Sequence, residues 1–297
     1  MKYILITPAY NEENYIENTI RSVITQSVLP IEWVIVSDGS TDKTNEIVMD
    51  YSIKHSFVKL YRHTNDDPEK TRLGRIARRV VSCINKGFEI IERKDYQFFG
   101  CLDADVSFNE SYYESLMKKF DKNSRLGLGG GFIYNVSPEK KWPYFTKSNL
   151  VGGPVQFFRR ECWEDIGGYI PGGHQDYFAV ASCRMKGWKV QSFPDLEVYH
   201  HKHASAAGRS QIKAKYHLGC MDYVCGDTFL FSFLRSISNV NKKPFLIGSI
   251  LRILGYLSTA LRNEPKQVTP ELGMFLKKEQ RMRMQNGLLK VLGKKHE

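Results

Sequence analysis

The first hundred residues alternate between short apolar runs rich in β-branched and aromatic residues and segments with the apolar spacing of a helix. This alternation is typical of a parallel sheet covered by helices, so we predict an α/β fold. Helices are predicted around Ile16–Ile24, from Thr41 or Asp42 through Tyr51, and from about Leu73 to Ile91. The predicted strands are Tyr3–Thr7, Trp33–Ser37, Val58–Arg62 and Gln97–Leu102.

Polar and acidic residues follow three of these strands. The first strand leads into Pro8-Ala9-Tyr10-Asn11-Glu12, the second into Asp38-Gly39-Ser40-Thr41-Asp42, and the fourth into Asp103-Ala104-Asp105. Ligands of open α/β sheets bind at the carboxyl ends of the strands. An edge of the sheet that collects several carboxylates needs cations there, either basic side chains or a metal ion.

The Asp103-Ala104-Asp105 motif is the strongest candidate for a metal site. Strand alternation would direct both carboxylates to the same side, and two like charges so close favour a divalent ion. Mg²⁺ and Mn²⁺ take oxygen ligands and often share their coordination shell with the phosphates of a substrate. An isolated D-x-D motif is weak evidence, so the interpretation depends on its context.

The second half of the chain differs in composition from the first. Residues 126–203 are rich in glycine and aromatic residues, which indicates turns around short strands. A helix is predicted over Asp176–Lys186 and a strand over Lys189–Phe193. We predict a catalytic domain over residues 1–205, divided into halves 1–106 and 107–205, and a helical extension over 206–297.

Composition limits the class of protein. A chain of 297 residues can form one large domain with an appendage. Its six cysteines show no C-x-x-C pair or zinc-ligand spacing, so neither a zinc ribbon nor a disulfide framework is expected. The apolar run after Met1-Lys2 is too short for a signal peptide. We therefore expect a cytoplasmic protein.

Four motifs, taken in order, resemble those of family 2 glycosyltransferases with the GT-A fold. No single motif is decisive, but their order and spacing are specific, and the resemblance covers residues 1–205. It implies a Rossmann-like mixed sheet flanked by helices, and an inverting transferase that uses a nucleotide-diphosphate sugar and Mn²⁺ or Mg²⁺. The motifs are Thr7–Glu12, Asp38–Asp42, Leu102–Asp105, and Gly172–Asp176 with Arg184 and Gly187.

The resemblance also implies roles for individual residues. The loop after the first strand and the acid after the second would contact the base and ribose of the nucleotide, and a carboxylate can accept from their N–H and O–H groups. Asp103 would contact the nucleotide and also bind the metal ion, and Asp105 would be a further metal ligand. His200 is the histidine expected to complete the metal shell, although a surface loop would explain His200, His201 and His203 equally well. The implied nucleotide-binding residues are Pro8, Tyr10, Glu12, Asp38 and Asp103.

Basic and acidic residues on two helices complete the expected site. Family members place a basic residue near the diphosphate, and Arg75 and Arg79 are the candidates among four arginines, with Arg72 and Arg78 the other two. Asp176 corresponds to the family's catalytic base, and Gln175 replaces the usual Glu before it. As alternatives, Asp38 could form a turn and Asp176 could cap a helix. Trp163 is a candidate for stacking on the acceptor sugar, although aromatic residues are more often part of a core.

The C-terminal part of the chain is basic and contains an amphipathic helix. The net charge is +11, and residues 232–297 carry 13 Lys and Arg against 4 Asp and Glu. The segment Pro244–Arg262 is too short to span a bilayer and has Arg252 at its middle, but it suits a helix lying at the membrane interface. We therefore expect peripheral contact with an anionic inner membrane face and a saccharide or lipid-linked acceptor. The alternative is that the helix packs on the protein and the basic residues are only solvated. Lys242, Lys243, Lys277, Lys278, Arg281, Arg283, Lys290, Lys294 and Lys295 would face the headgroups.

Other functions remain open at this point. A sugar-nucleotide nucleotidyltransferase also uses an α/β sheet and metal, but usually has a glycine-rich basic loop that Thr7–Glu12 lacks. A dehydrogenase is disfavoured because no G-x-G-x-x-G follows the first strand. A non-catalytic membrane-associated scaffold on the same fold is a further alternative. Nucleic-acid binding is not expected, since the basic tail has no recognised motif.

Overall fold

The computed structural model describes residues 1–63, 75–170, 174–202, 211–239 and 245–291. Several residues discussed above lie outside this description: Arg72, Gly172, Gly173, His203, Lys242, Lys243, Lys294, Lys295 and the side chains of Arg75, Arg78 and Lys290. The described chain divides into two compact units, Met1–His203 and Ala204–Glu297.

The first unit contains nine strands and six helices within its described residues. The strands are β1 Tyr3–Ala9, β2 Glu32–Asp38, β3 Val58–His63, β4 Phe98–Leu102, β5 Val106–Phe108, β6 Leu126–Val136, β7 Lys141–Phe145, β8 Val155–Arg159 and β9 Lys189–His200. The helices are α1 Ile16–Ile24, α2 Thr44–Lys54, α3 Arg75–Ile90, α4 Tyr112–Asp121, α5 Arg160–Ile166 and α6 Gln175–Met185.

The strands form one mixed sheet in the order β3-β2-β1-β4-β8-β6-β9-β5, with β7 paired to β6. β3, β2, β1 and β4 run parallel, so their carboxyl ends lie at one edge. In this register Ala9 is paired with Ser37, which places the loop after β1 beside the loop after β2. The polar segments singled out in the sequence therefore meet at a single edge.

Both faces of the sheet are covered, as expected for apolar parallel strands. Along β1, Tyr3 and Leu5 point to one face and pack with α1 and α4, whereas Ile4 and Ile6 pack on the other face with α3 and α5. All four side chains are fully buried. The alternation of a β-strand thus assigns each residue to one of two cores.

The second unit consists of helices joined around a close helix crossing. The helices are α7 Gln211–Val224, α8 Phe229–Ser238, α9 Ile247–Leu261 and α10 Pro270–Val291. At the α7–α9 crossing, a Cβ on Gly219 would lie 1.8 Å from the carbonyl oxygen of Arg252, and one on Gly255 would lie 2.0 Å from that of Tyr216. Glycine is required there because the two backbones touch.

We expect Gly219→Ala to destabilise the second unit by about 3 kcal/mol or more, since backbone atoms would have to move apart. Limited proteolysis of the full chain should show faster cleavage within residues 204–297. Gly273→Ala is the matched control, because its Cβ would make an ordinary 3.5 Å contact with Val268. This control should resist cleavage as well as the unmodified chain does, or better. Equal resistance of Gly219→Ala would contradict the close crossing.

Candidate active site

The candidate site lies at the carboxyl edge of β1, β2 and β4. Asp38 ends β2 and is 3% exposed, which is costly for a carboxylate without a partner. Arg79 on α3 provides the partner: its Nε donates to Asp38 Oδ2 at 2.5 Å, and its second terminal nitrogen donates to the Asp38 carbonyl at 3.0 Å. The guanidinium also lies 4.5 Å from the ring centroid of Tyr10. Of the predicted nucleotide-binding residues, the structure thus brings Tyr10, Asp38 and Arg79 together.

The loop after β1 is held by hydrogen bonds to the loop after β2. Asn11 has a positive φ of 54°, and its Oδ1 accepts from the backbone N–H of Thr41 at 2.8 Å. The backbone N–H of Glu12 donates to Thr44 Oγ1 at 2.8 Å. An asparagine tolerates this conformation better than most residues. These hydrogen bonds hold the loop that contains Tyr10 and Glu12, directly after Pro8 and Ala9 of β1, against the loop after β2.

Asp103 and Asp105 lie in a turn between β4 and β5 rather than within a strand. The prediction that strand alternation directs both side chains to the same side is therefore wrong. The two carboxylates are nevertheless close enough to interact. Burial, together with the charges of Asp105 and Asp176, raises the pKa of Asp103 well above its usual value. Ala104 between them is buried, so a larger residue would not fit without rearrangement.

His200, at the end of β9, is held beside Asp105 from two sides. Its Nε2 lies 3.3 Å from Asp105 Oδ2, and its Nδ1 lies 3.0 Å from Asn135 Oδ1. Burial opposes its protonation, but Asp105 and Asp103 outweigh that effect and raise its pKa. The ring of Tyr144 stacks on the imidazole, with the two ring centroids 5.1 Å apart.

The residues present fit a divalent cation that shares its shell with a substrate. Within the described chain, Asp105 Oδ1 and Glu12 Oε2 are buried and have no hydrogen-bond partner. No group of three or more His, Cys, Asp or Glu side chains in those same residues could hold a metal ion unaided. Mg²⁺ and similar ions are often bound by one or two carboxylates with substrate phosphates as further ligands. The aspartate pair matches that donor set.

Asp176 reaches the same site from the first turn of α6. The N-cap of this helix is His174, with a positive φ of 62°, so Asp176 is not the capping residue. A Cβ on Gly153 would lie 3.3 Å from Asp176 Oδ2, which explains why a glycine lies opposite it. The carboxylate also contributes to the raised pKa of Asp103.

Three residues near the site were not predicted from the sequence. Lys202 pairs with Glu12 Oε1 at 2.5 Å. Gln156, fully buried in β8, donates to the carbonyl of Asp176 at 3.1 Å and accepts from the Tyr169 hydroxyl at 2.7 Å. Tyr144 stacks on His200, and burial and the nearby aspartates raise its pKa. Only Gln156 left a signal in the sequence, as a polar residue inside an apolar strand.

One other sequence hypothesis is corrected by the structure. Trp163 packs in an aromatic cluster, with its ring centroid 5.3 Å from that of Phe88 and 4.7 Å from that of Phe99. It therefore packs against the core and is not a platform for a sugar. Asp195, on the same strand as His200, forms an exposed ion pair with Lys119. The hydroxyl of Ser107 lies 2.8 Å from His201 Nε2.

Comparisons with known proteins agree with this architecture. The structure of Staphylococcus aureus TarS 1-349 in complex with UDP-GlcNAc superposes with a TM-score of 0.53 and 18% identity, covering 88% of this chain and 73% of that one. The mannosyltransferase PcManGT of Pyrobaculum calidifontis, solved with GDP-Man and Mn²⁺, gives a TM-score of 0.55 and 15% identity, covering 97% and 80%. These likenesses confirm the predicted fold, a GT-A mixed sheet flanked by helices.

Sequence comparison identifies the family. The chain is 29% identical over 208 residues to the poly-beta-1,6-N-acetyl-D-glucosamine synthase of Staphylococcus epidermidis, a match that covers 64% of this chain and 45% of that protein. The chain thus spans less than half the length of this relative. The family model described as glycosyl transferase family 2 matches residues 4–180. The chain therefore belongs to glycosyl transferase family 2 and carries a glycosyltransferase domain.

Proposed function

We propose that this chain transfers a sugar from a nucleotide-diphosphate donor to a saccharide or lipid-linked acceptor in polysaccharide or glycolipid assembly. The observation that carries the proposal is the cluster of carboxylates at the sheet edge, where nothing in the described part of the chain pairs with one buried oxygen of Asp105 and one of Glu12. Burying such groups is costly unless a ligand or ion satisfies them. A donor diphosphate with its cation supplies that complement.

In this proposal Asp103, Asp105 and His200 would each contribute to a Mn²⁺ or Mg²⁺ site that the donor phosphates complete, since these side chains do not form a metal-binding group by themselves within the described residues. When bound, the ion neutralises the charge that develops on the diphosphate leaving group. The solved mannosyltransferase with the same fold contains Mn²⁺ beside GDP-Man, which supports a divalent metal here. The hydrogen bond between His200 and Asn135 fixes the imidazole so that Nε2 is directed at Asp105.

The nucleotide is proposed to bind in the loops after β1 and β2. Asp38 has a buried Oδ1 without a partner within the described residues, and this oxygen can accept from a base N–H or a ribose hydroxyl. Tyr10 is 47% exposed and offers a face for stacking, while Arg79 fixes both side chains. Pro8, Glu12 and Asp103 are the remaining proposed contacts. Arg75, in the first turn of α3, stays a candidate for the diphosphate.

Asp176 is proposed as the general base. Its carboxylate would take the proton from the acceptor hydroxyl as that oxygen attacks the anomeric carbon and the bond to the diphosphate breaks. Attack from the face opposite the leaving group inverts the configuration. Gln156 holds the backbone of Asp176, and Gly153 leaves room at the carboxylate.

The relatives support surface-polysaccharide assembly as the setting, because one is named a poly-beta-1,6-N-acetyl-D-glucosamine synthase and another a hyaluronan synthase. We also propose a cytoplasmic location with peripheral contact at the inner membrane face. No helix within the described residues is both long and apolar enough to cross a bilayer. A scaffold without activity would have no need for buried, unsatisfied carboxylates, which favours the transferase.

We expect turnover of at least one donor in a panel of UDP-, GDP-, dTDP- and CDP-sugars when Mn²⁺ or Mg²⁺ is present. Release of the nucleoside diphosphate, measured with and without a mixture of saccharide and polyprenyl-phosphate acceptors, reports transfer and hydrolysis. Chelation of the metal should remove the activity, and its restoration by added Mn²⁺ is the control. A protein that turns over no donor under any of these conditions would favour the scaffold alternative.

A further inference from the structure

Most amphipathic helices of globular proteins pack by their apolar side, but helix α9 packs by its polar side. Its small and polar residues face inward: Gly248, Gly255 and Thr259 are buried in the second unit. Arg252 is 14% exposed and forms two hydrogen bonds with Asp222 of α7, at 2.6 and 2.8 Å. The polar face of α9 is therefore directed toward the rest of the second unit.

The apolar side of α9 is consequently exposed. Five of its residues recur at spacings of three and four, which places them on one side of the helix, and they are between 39% and 84% exposed. Packing of the second unit therefore leaves this stripe uncovered. The five are Ile247, Ile250, Leu254, Leu257 and Leu261.

The neighbouring helix α8 shows the same arrangement. Ser232 and Ser236 are its buried residues, and five large apolar residues on its other side are 36% to 56% exposed. These five are Phe229, Leu230, Phe233, Leu234 and Ile237. Phe245 and Leu246, just before α9, are exposed as well. We refer to these twelve residues of α8, α9 and the turn before α9 as the apolar surface.

The polar sides of the two helices share a centre at Asp222. Arg235 of α8 and Arg252 of α9 both pair with Asp222, at 3.1 and 2.6 Å. Ser249 Oγ donates to the carbonyl of Ser236 at 2.6 Å and joins the end of α8 to the start of α9. Since both helices direct their polar sides at Asp222, their apolar sides both face away from it.

Charge indicates what covers this surface. Neither α8 nor α9 contains an acidic residue. A helical seam with a second protein chain usually carries charges of both signs beside its apolar stripe, and α8 and α9 supply no negative charge for one. The exposed charged residues nearby in the sequence are mostly basic: Arg262, Lys266, Lys277, Lys278, Arg281 and Arg283. Exposed apolar side chains on helices without acidic residues, in a unit whose exposed charged residues are mostly basic, match the acyl and headgroup layers of an anionic bilayer.

We propose that the apolar surface of α8 and α9 docks on an anionic lipid bilayer, with both helices lying in the interface and their Asp222-facing sides directed away from it. Twelve large exposed apolar side chains exceed what a monomer in water ordinarily displays in one patch. The shortness of α8 and α9 restricts them to the interfacial layer. This proposal does not depend on the transferase chemistry, because its test measures lipid binding without a donor.

Flotation with vesicles of phosphatidylcholine and phosphatidylglycerol tests the proposal on the full chain. The triple variant Phe233→Ser, Leu254→Ser, Leu257→Ser should bind these vesicles at least about 1,000-fold more weakly, since each large apolar side chain contributes about tenfold or more. The matched control is Leu29→Ser, Met49→Ser, Ile53→Ser, which removes three exposed apolar residues of the first unit. This control should float like the unmodified chain.

A second measurement locates the contact even if the triple variant is unstable. All six native cysteines are buried, so a single Leu257→Cys chain can be labelled with a polarity-sensitive thiol dye. Vesicles should shift the emission of this label to the blue and leave the same label at Ile53→Cys unchanged. The proposal would be overturned by unchanged emission of the label at position 257 or by undiminished flotation of the triple variant. It would also be overturned if the unmodified chain formed a dimer without lipid and the triple variant were monomeric.

Discussion

Replacing Asp105 with Asn is expected to lower turnover at saturating donor by about 10³-fold. Stabilisation of charge by a bound metal contributes several kcal/mol to such reactions, and 1.36 kcal/mol corresponds to a factor of ten. Asparagine has nearly the same size, but it loses the charge and one oxygen of the ligand. Metal-dependent binding of the donor should weaken together with turnover, which steady-state kinetics and calorimetry can measure on the same preparations.

The fold should not suffer in this variant. Asp105 is 8% exposed and its Oδ1 has no hydrogen-bond partner within the described residues, so loss of the charge removes a cost of burial. Asp195→Asn is the matched control, because it makes the same change at an exposed carboxylate that pairs with Lys119. Full activity of Asp105→Asn, or an equal loss in Asp195→Asn, would contradict the assigned role.

Replacing Asp176 with Asn should separate chemistry from binding. General base catalysis contributes about 10²- to 10⁴-fold, so kcat should fall within that range. The donor should still bind with metal at nearly unchanged affinity, because Asp176 is proposed to contact the acceptor hydroxyl. Rapid quench kinetics with saturating acceptor would measure the transfer step directly.

Gln175→Ala is the neighbouring control for this prediction. It alters the same first turn of α6 without removing a carboxylate, and less than a tenfold loss is expected. If Asp176→Asn loses donor binding along with turnover, Asp176 acts in the nucleotide site. If it retains full turnover, another group is the base.

Local sequence patterns were sufficient to predict the strands of the first half of the domain, residues 1–106. The four predicted strands agree with β1, β2, β3 and β4 to within two residues at each end, because continuous apolar runs are bounded there by polar turns. The prediction that the carboxyl ends of these strands lie at one edge of the sheet followed from the expected parallel topology alone. Asp38, Asp103 and Asp105 could therefore be placed at one edge before any tertiary contact was known.

The second half was harder to predict because its strands depend on partners distant in sequence. The predicted strand Lys189–Phe193 continues through Pro194 and Asp195 to His200. Its pairing with β6 shifts register between Gly131 and Phe132, which accommodates the irregularity. A Cβ on Gly131 would lie 2.3 Å from the carbonyl of Leu196, so the glycine allows this close approach. Without knowledge of these long-range contacts, Pro194-Asp195 reads as a turn that ends the strand.

Long-range partners also explain the site residues that were missed. Tyr144 approaches His200 only because β7 pairs with β6, and Lys202 reaches Glu12 from the far end of the domain. In the second unit, the charge of Arg252 was read as an obstacle to membrane insertion. Its partner Asp222 lies thirty positions earlier, and that pairing turns the polar side of α9 inward.

Calorimetric titration of the unmodified protein with UDP and GDP, with and without Mn²⁺, tests the central claim most directly. The claim is that the carboxylates at the sheet edge bind a nucleoside diphosphate through a divalent cation. One nucleotide should bind at least about tenfold more tightly with the metal, since the ion offsets repulsion between diphosphate and aspartates. Binding that is equally tight without metal, or absent for every nucleotide with it, would contradict the account.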